Sequence, residues 1–80
     1  MGGIRLNQNM IIDPSVLRLF WKVVSEVNYQ AMLSLPDRDL SQVLIEKVSD
    51  RLFLDPEQTQ TLGDYSISKL LLIRDLAEHN

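Results

Sequence analysis

Hydrophobic positions along this chain recur at helical spacing, and they do so in three blocks separated by proline. The densest block is Asp13 to Leu35, which holds the single Trp, one of the two Tyr and one of the two Phe. Stepped at about 100° per residue, Val16, Leu19, Phe20, Val23, Val24, Val27 and Ala31 share one broad face, with Arg18, Lys22, Ser25 and Glu26 opposite. The start is marked by Asp13, whose carboxylate can accept from the free N–H groups of a first turn, and by Pro14, which needs no partner at the first helical position. Ile12 and Leu17 are spaced to staple across that cap. The stop is marked by Pro36, which disfavours helical geometry at Leu35. One long helix over about 14–34 is predicted, with a face wide enough to touch two others.

The second block predicts a helix over about 38–52, capped by Ser34 or by Asp37. Its core face is Leu40, Leu44, Ile45, Val48 and Leu52, while Gln42, Glu46, Ser49 and Asp50 face water. Asp55-Pro56 then repeats the cap-and-proline signal, and Gln58 stands three residues on, at capping-box spacing. In the third block Leu62, Tyr65, Leu70, Leu72, Ile73, Leu76 and Ala77 fall on one face, which predicts a single helix over about 56–78. Gly63-Asp64 is the one place where it could divide, since Gly can end a helix and Asp can cap the next. The fold class is therefore all-α: a small three-helix bundle with antiparallel neighbours, or four helices if the chain breaks at Gly63. Residues 10–80 form one domain. Met1 to Asn9 has no period and reads as a flexible tail, whereas Met10, Ile11 and Ile12 should fold back onto the body. They could also form an edge strand, but no second β-rich run would pair with it.

Composition narrows the chemistry. Eighty residues with 45% hydrophobic content can build one modest core. No Cys is present, so there is neither a disulfide framework nor a thiolate metal site. The formal net charge of −3 gives no basic field to draw nucleic acid. No apolar run approaches the roughly 18 residues of a membrane span, and the N-terminus lacks the apolar block of a signal peptide. A cytoplasmic protein is expected.

Signals for catalysis are thin. Asp37 and Asp39 stand at a helix start, where carboxylates favour the dipole. His79 is the only His and the penultimate residue, a poor place for a base or a ligand, and no transition-metal site is expected. Gly2, Gly3 and Gly63 make no phosphate-binding motif. Neither a cofactor nor a small-molecule substrate is evident.

Leu62-Gly63-Asp64-Tyr65-Ser66-Ile67 resembles the segment around the modified serine of acyl and peptidyl carrier proteins, which are also small, helical and often acidic. The resemblance implies a phosphopantetheine arm on Ser66. It covers six residues and departs in two ways: Tyr65 stands where those proteins usually have Asp or His, and too little chain follows for two further helices. The second and third helices with their short connection also have the lengths of a helix-turn-helix DNA reader. Gln58 and Gln60 could then contact bases, but Glu57 and Asp64 flank them and repel phosphate.

Two sets of residues remain as candidates. Lys47 and Arg51 lie one turn apart at the margin of the second helix, either covering the core with their stems or offering a contact to an anionic partner. Trp21 and Met32 fall at one edge of the first helix's apolar face, with Tyr29 and Leu33 one turn apart on its polar side. If uncovered, these four make a surface suited to a protein partner. The function expected is a non-enzymatic protein–protein interaction module, such as an adaptor, a regulator or an assembly subunit. A second copy of the chain is a natural partner, giving an isologous homodimer centred on the first helix. The alternative is a small DNA-binding regulator.

Overall fold

A computed structural model describes residues 12–78. The expected flexible tail, the fold-back of Met10 and Ile11, and His79 lie outside these residues. Four helices are described: α1 Pro14–Glu26, α2 Tyr29–Ser34, α3 Asp37–Ser49 and α4 Pro56–Glu78. The all-α bundle expected from the periodicity is present. The fourth helix arises at Val27–Asn28, however, and not at Gly63.

The break between α1 and α2 corrects the single helix expected over 14–34. Val27 takes an extended conformation (φ −73°, ψ 143°) and ends α1. Asn28 follows with φ −56° and ψ 133°, and its side-chain oxygen accepts from Gln30 N at 2.7 Å and Ala31 N at 3.3 Å. This is N-cap geometry, and Asn is among the strongest residues for it because its short amide reaches the orphan donors of the next turn. Hydrophobic period does not see such a break, because the apolar residues on both sides keep helical spacing.

The other boundaries follow from local chemistry. Asp13 caps α1, accepting from Ser15 N at 2.8 Å. Asp55 and Gln58 form the reciprocal box: Gln58 N donates to the Asp55 carboxylate at 2.7 Å, and Asp55 N donates to the Gln58 amide oxygen at 3.3 Å. The start of α3 uses neither expected cap. Pro36 occupies the cap position with no side-chain bond, its carbonyl accepting from Leu40 N at 2.9 Å. Ser34 instead donates back to Gln30 O, and Asp37 is already the first helical residue. At its far end α3 stops at Ser49 rather than near Leu52. Leu52 is left at the surface, and Leu54, from the connection, enters the core in its place.

α4 packs against α3 and α2, and α3 against α1. The residues they bury include Phe20, Val23, Leu40, Leu44, Val48, Leu62 and Ile73, each with no exposed surface. Phe20 anchors an aromatic cluster, meeting the rings of Trp21 and Tyr65 edge-on at centroid distances of 5.3 and 5.5 Å. Of the apolar residues expected on the inner face of α4, Leu72 and Leu76 are partly in water. Ser66 takes a core position that the hydrophobic pattern did not assign. It is fully buried, and its hydroxyl donates to Gly63 O at 2.8 Å and contacts the hydroxyl of the buried Ser41. A serine has one hydroxyl proton, so with Ser66 serving Gly63 it is Ser41 that donates to Ser66. The pair lets α3 and α4 meet through small side chains while leaving no buried side-chain polar atom without a partner among the described residues.

Two outcomes are expected. Gly63 lies inside α4, has no positive φ, and an added Cβ would meet nothing within 4 Å. Gly63→Ala should therefore raise stability by about 0.5–1 kcal/mol in chemical denaturation; a fall would contradict helical geometry there. For the serine pair, Ser66→Ala should cost about 1 kcal/mol, since it strands the Ser41 hydroxyl, whereas Ser41→Ala should cost less, since Ser66 keeps its bond to Gly63 O, and the double variant should cost clearly less than their sum. Strict additivity would mean that the hydroxyls do not interact.

Candidate interaction surfaces

The short helix α2 controls the first candidate surface. Six residues are too few to hold a helix alone, because the nucleating turn costs more than its few bonds return. Asn28 satisfies its N-terminal donors, and Arg74 of α4 satisfies the other end. The Arg74 guanidinium donates to Met32 O at 2.6 Å and Leu35 O at 2.7 Å, and its third contact is to the Asp37 carboxylate at 2.9 Å. One planar fork thus joins α2, the α2–α3 turn and the start of α3 to α4.

Held there, α2 closes one side of a groove of about 350 Å³ lined by Trp21, Val24, Ser25, Val27, Tyr29, Met32, Ile73, Leu76 and Ala77. Trp21 is partly buried and its indole N–H donates to the Tyr65 hydroxyl at 3.1 Å, so the ring is fixed rather than free to reorient. Lys69 lies over the Tyr65 ring, 5.6 Å from its centroid, a distance at which cation and ring attract.

The four residues expected to form one exposed surface are divided by the break at Asn28. Met32 is buried, 5% exposed, and belongs to the floor of the groove. Trp21 contributes a ring edge to its wall. Tyr29, half exposed at 50%, stands in that wall and faces solvent, and Leu33 is exposed on the same short helix. The structure adds Leu76, 48% exposed, to the groove. Sequence reasoning placed Leu76 in the core because it shares a face with Leu72 and Ile73; a bundle that covers only part of that face leaves its edge open.

Of the Lys47 and Arg51 pair, Arg51 already has an acidic partner within the chain. Arg51 donates to the Glu26 carboxylate at 2.5 Å, so an incoming anion would compete with a carboxylate already in place. Glu26 is held below its ordinary value first by that hydrogen bond, against some desolvation, and then by the charges of Arg51, Lys22 and Lys47. With a lowered value in the folded state, its contribution is present above the usual carboxylate range and is lost as pH falls through the folded value. Both groups are exposed, so this pair ties α1 to the start of the α3–α4 connection only weakly.

A second apolar surface lies along the outside of α4 and the connection before it. Phe53 is 84% exposed and Leu71 85% exposed, with Ile67 half exposed between them along the helix. Phe53, Leu54, Pro56, Thr59, Gln60, Gly63 and Asp64 line an open depression of about 700 Å³ at its start. Pro56, Gln60, Gly63, Asp64 and Ile67 drew notice in the sequence for other reasons, but none of these residues was expected to form an apolar surface.

The two resemblances considered earlier do not find their geometry. Ser66 is wholly buried and hydrogen-bonded on both sides, with no room for an attached arm. The α3–α4 connection, residues 50–55, is longer than the three or four residues of a helix-turn-helix turn. Among the described residues, no three His, Cys, Asp or Glu side chains are grouped to hold a metal ion. No helix among them is long and apolar enough to cross a membrane.

No protein-family model, curated protein or solved structure matches the chain.

Proposed function

We propose that this chain is a non-enzymatic helical module that works by protein–protein contact, in the cytoplasm, and that its groove receives a second copy of the same chain. The observation that carries the reading is the groove itself. Its lining is apolar apart from Ser25 and the Tyr29 hydroxyl, it is open to solvent, and Tyr29 and Leu76 project at its rim. A groove beside its own apolar projections is self-complementary: under a two-fold axis the projections of each copy enter the groove of the other. The polar chemistry of the chain supports a binding role over a catalytic one. Its buried hydroxyls, Ser41 and Ser66, are engaged with each other and with a carbonyl, and Asp13 and Asp55 cap helices. The DNA-binding alternative gains nothing from α4, whose first turns present Glu57 and Asp64 to solvent.

Sedimentation equilibrium at tens of micromolar should give about twice the 9.2 kDa of one chain. Leu76→Glu should return the mass to that of a monomer while far-UV circular dichroism stays helical, because a half-exposed leucine contributes more to a contact than to the core. A monomer throughout the concentration range removes the second copy as the occupant. A dimer that survives Leu76→Glu places its interface elsewhere.

A further inference from the structure

The outer face of α4 is a separate surface with its own charge. Stepped at about 100° per residue, Gly63, Ile67 and Leu71 fall within about 80° of one another. They span two turns, roughly 12 Å. Phe53 and Pro56 extend the stripe at its N-terminal end, and the missing side chain at Gly63 leaves a low point, where a Cβ would find open space. By the same stepping Glu57, Asp64 and Glu78, all three exposed, lie within about 40° of the direction of Leu71 and spread acidic charge along the helix at the margin of this stripe. The cations of α4 do not offset them. Arg74 is turned onto the carbonyls of Met32 and Leu35 and onto Asp37, and Lys69 lies over the Tyr65 ring on the opposite side of the helix.

We propose that this face docks a basic amphipathic helix of a protein partner. Leucine-sized side chains at i, i+4 and i+7 would sit against Phe53, Gly63, Ile67 and Leu71, and flanking Lys or Arg would meet Glu57, Asp64 and Glu78. Apolar anchors in a shallow trough with charge at the rim are the recognition mode of a helix laid in a groove. The charge also decides between occupants. A second copy of the chain would bring an acidic margin against an acidic margin, and an anionic lipid surface would be repelled in the same way. A cationic helix is the partner of opposite sign.

The test uses the full chain and two synthetic helical peptides of about 18 residues. One carries leucine at i, i+4 and i+7 with lysine elsewhere, and the other has glutamate in place of lysine. Backbone amide shifts report the site. The lysine peptide should bind saturably, with the largest shifts around Gly63, Ile67 and Leu71, and the glutamate peptide should not bind. Leu71→Ser should weaken binding about tenfold or more without changing helicity, since the residue is almost fully exposed and is one of the apolar anchors of the contact. Asp64→Lys should weaken it as well, and raising salt from about 0.05 to about 0.5 M should do the same to both proteins. Equal binding of the two peptides, no binding at millimolar peptide, or shifts centred on Trp21, Tyr29 and Leu76 would each overturn the proposal. So would loss of a dimer in Leu71→Ser, which would assign this face to a second copy.

Discussion

The guanidinium of Arg74 holds together the part of this molecule that a pattern of apolar residues cannot. A six-residue helix leaves its last carbonyls without partners, and α2 ends against the body of the protein where water reaches them poorly. Arg74 supplies charged donors to Met32 O and Leu35 O from a side chain that is only about one-fifth exposed. Hydrogen bonds to a charged group contribute about 1.5–3 kcal/mol each, enough to decide whether a helix this short persists. The Asp37 contact is different in kind: that carboxylate is largely solvated, and its contribution is small. The two carbonyls, rather than the ion pair, are the larger part of the interaction.

Once α2 is fixed, the surfaces of the molecule follow. The turn at Val27–Asn28 carries Met32 inward onto Ile73 and Ala77 and leaves Tyr29 and Leu33 outward. An uninterrupted helix would continue along the axis of α1 and could not close the groove. The Trp21–Tyr65 hydrogen bond fixes the α1 side of the same groove to α4. On the other side of α4, the Ser41–Ser66 pair draws α3 close through small side chains, and the apolar residues beyond that contact, Ile67 and Leu71, remain at the surface. A chain this small cannot enclose every apolar side chain it carries, and α4 therefore has a partly uncovered edge on each side of its buried stripe.

Much of this was legible in the residues. Asp13-Pro14 and Asp55-Pro56 mark helix starts that the structure reproduces, because capping is a local event that needs no tertiary partner. The continuity of α4 through Gly63 was legible for a similar reason: the face on either side is in register, and one glycine costs less than the packing it joins. What the sequence concealed depends on tertiary context. Asn28 caps a helix at a point where Val27 and Ala31 keep helical spacing, so period alone runs straight through it. Ser66 had no assigned place in the core, because its partner Ser41 stands twenty-five positions earlier in the chain. Leu54 displaced Leu52 because α3 stops one turn early. Arg74 directly follows the apolar run Leu70-Leu71-Leu72-Ile73, and a charge beside such a run calls for nearby acceptors. Which acceptors those are could not be read from a single sequence.

The most direct test of this account is amide hydrogen exchange, residue by residue, on the native chain and on Arg74→Leu. Leucine keeps an apolar stem of similar reach and removes only the donors. If Arg74 holds α2 in place, protection should fall at the amides of Met32 to Leu35 by about tenfold or more, while those in the middle of α1 and α3 change little. Unchanged protection in α2 would contradict the account, because the short helix would then persist without the contact said to hold it. A uniform loss across all four helices would contradict it as well, by showing that Arg74 supports the whole bundle and not this one wall.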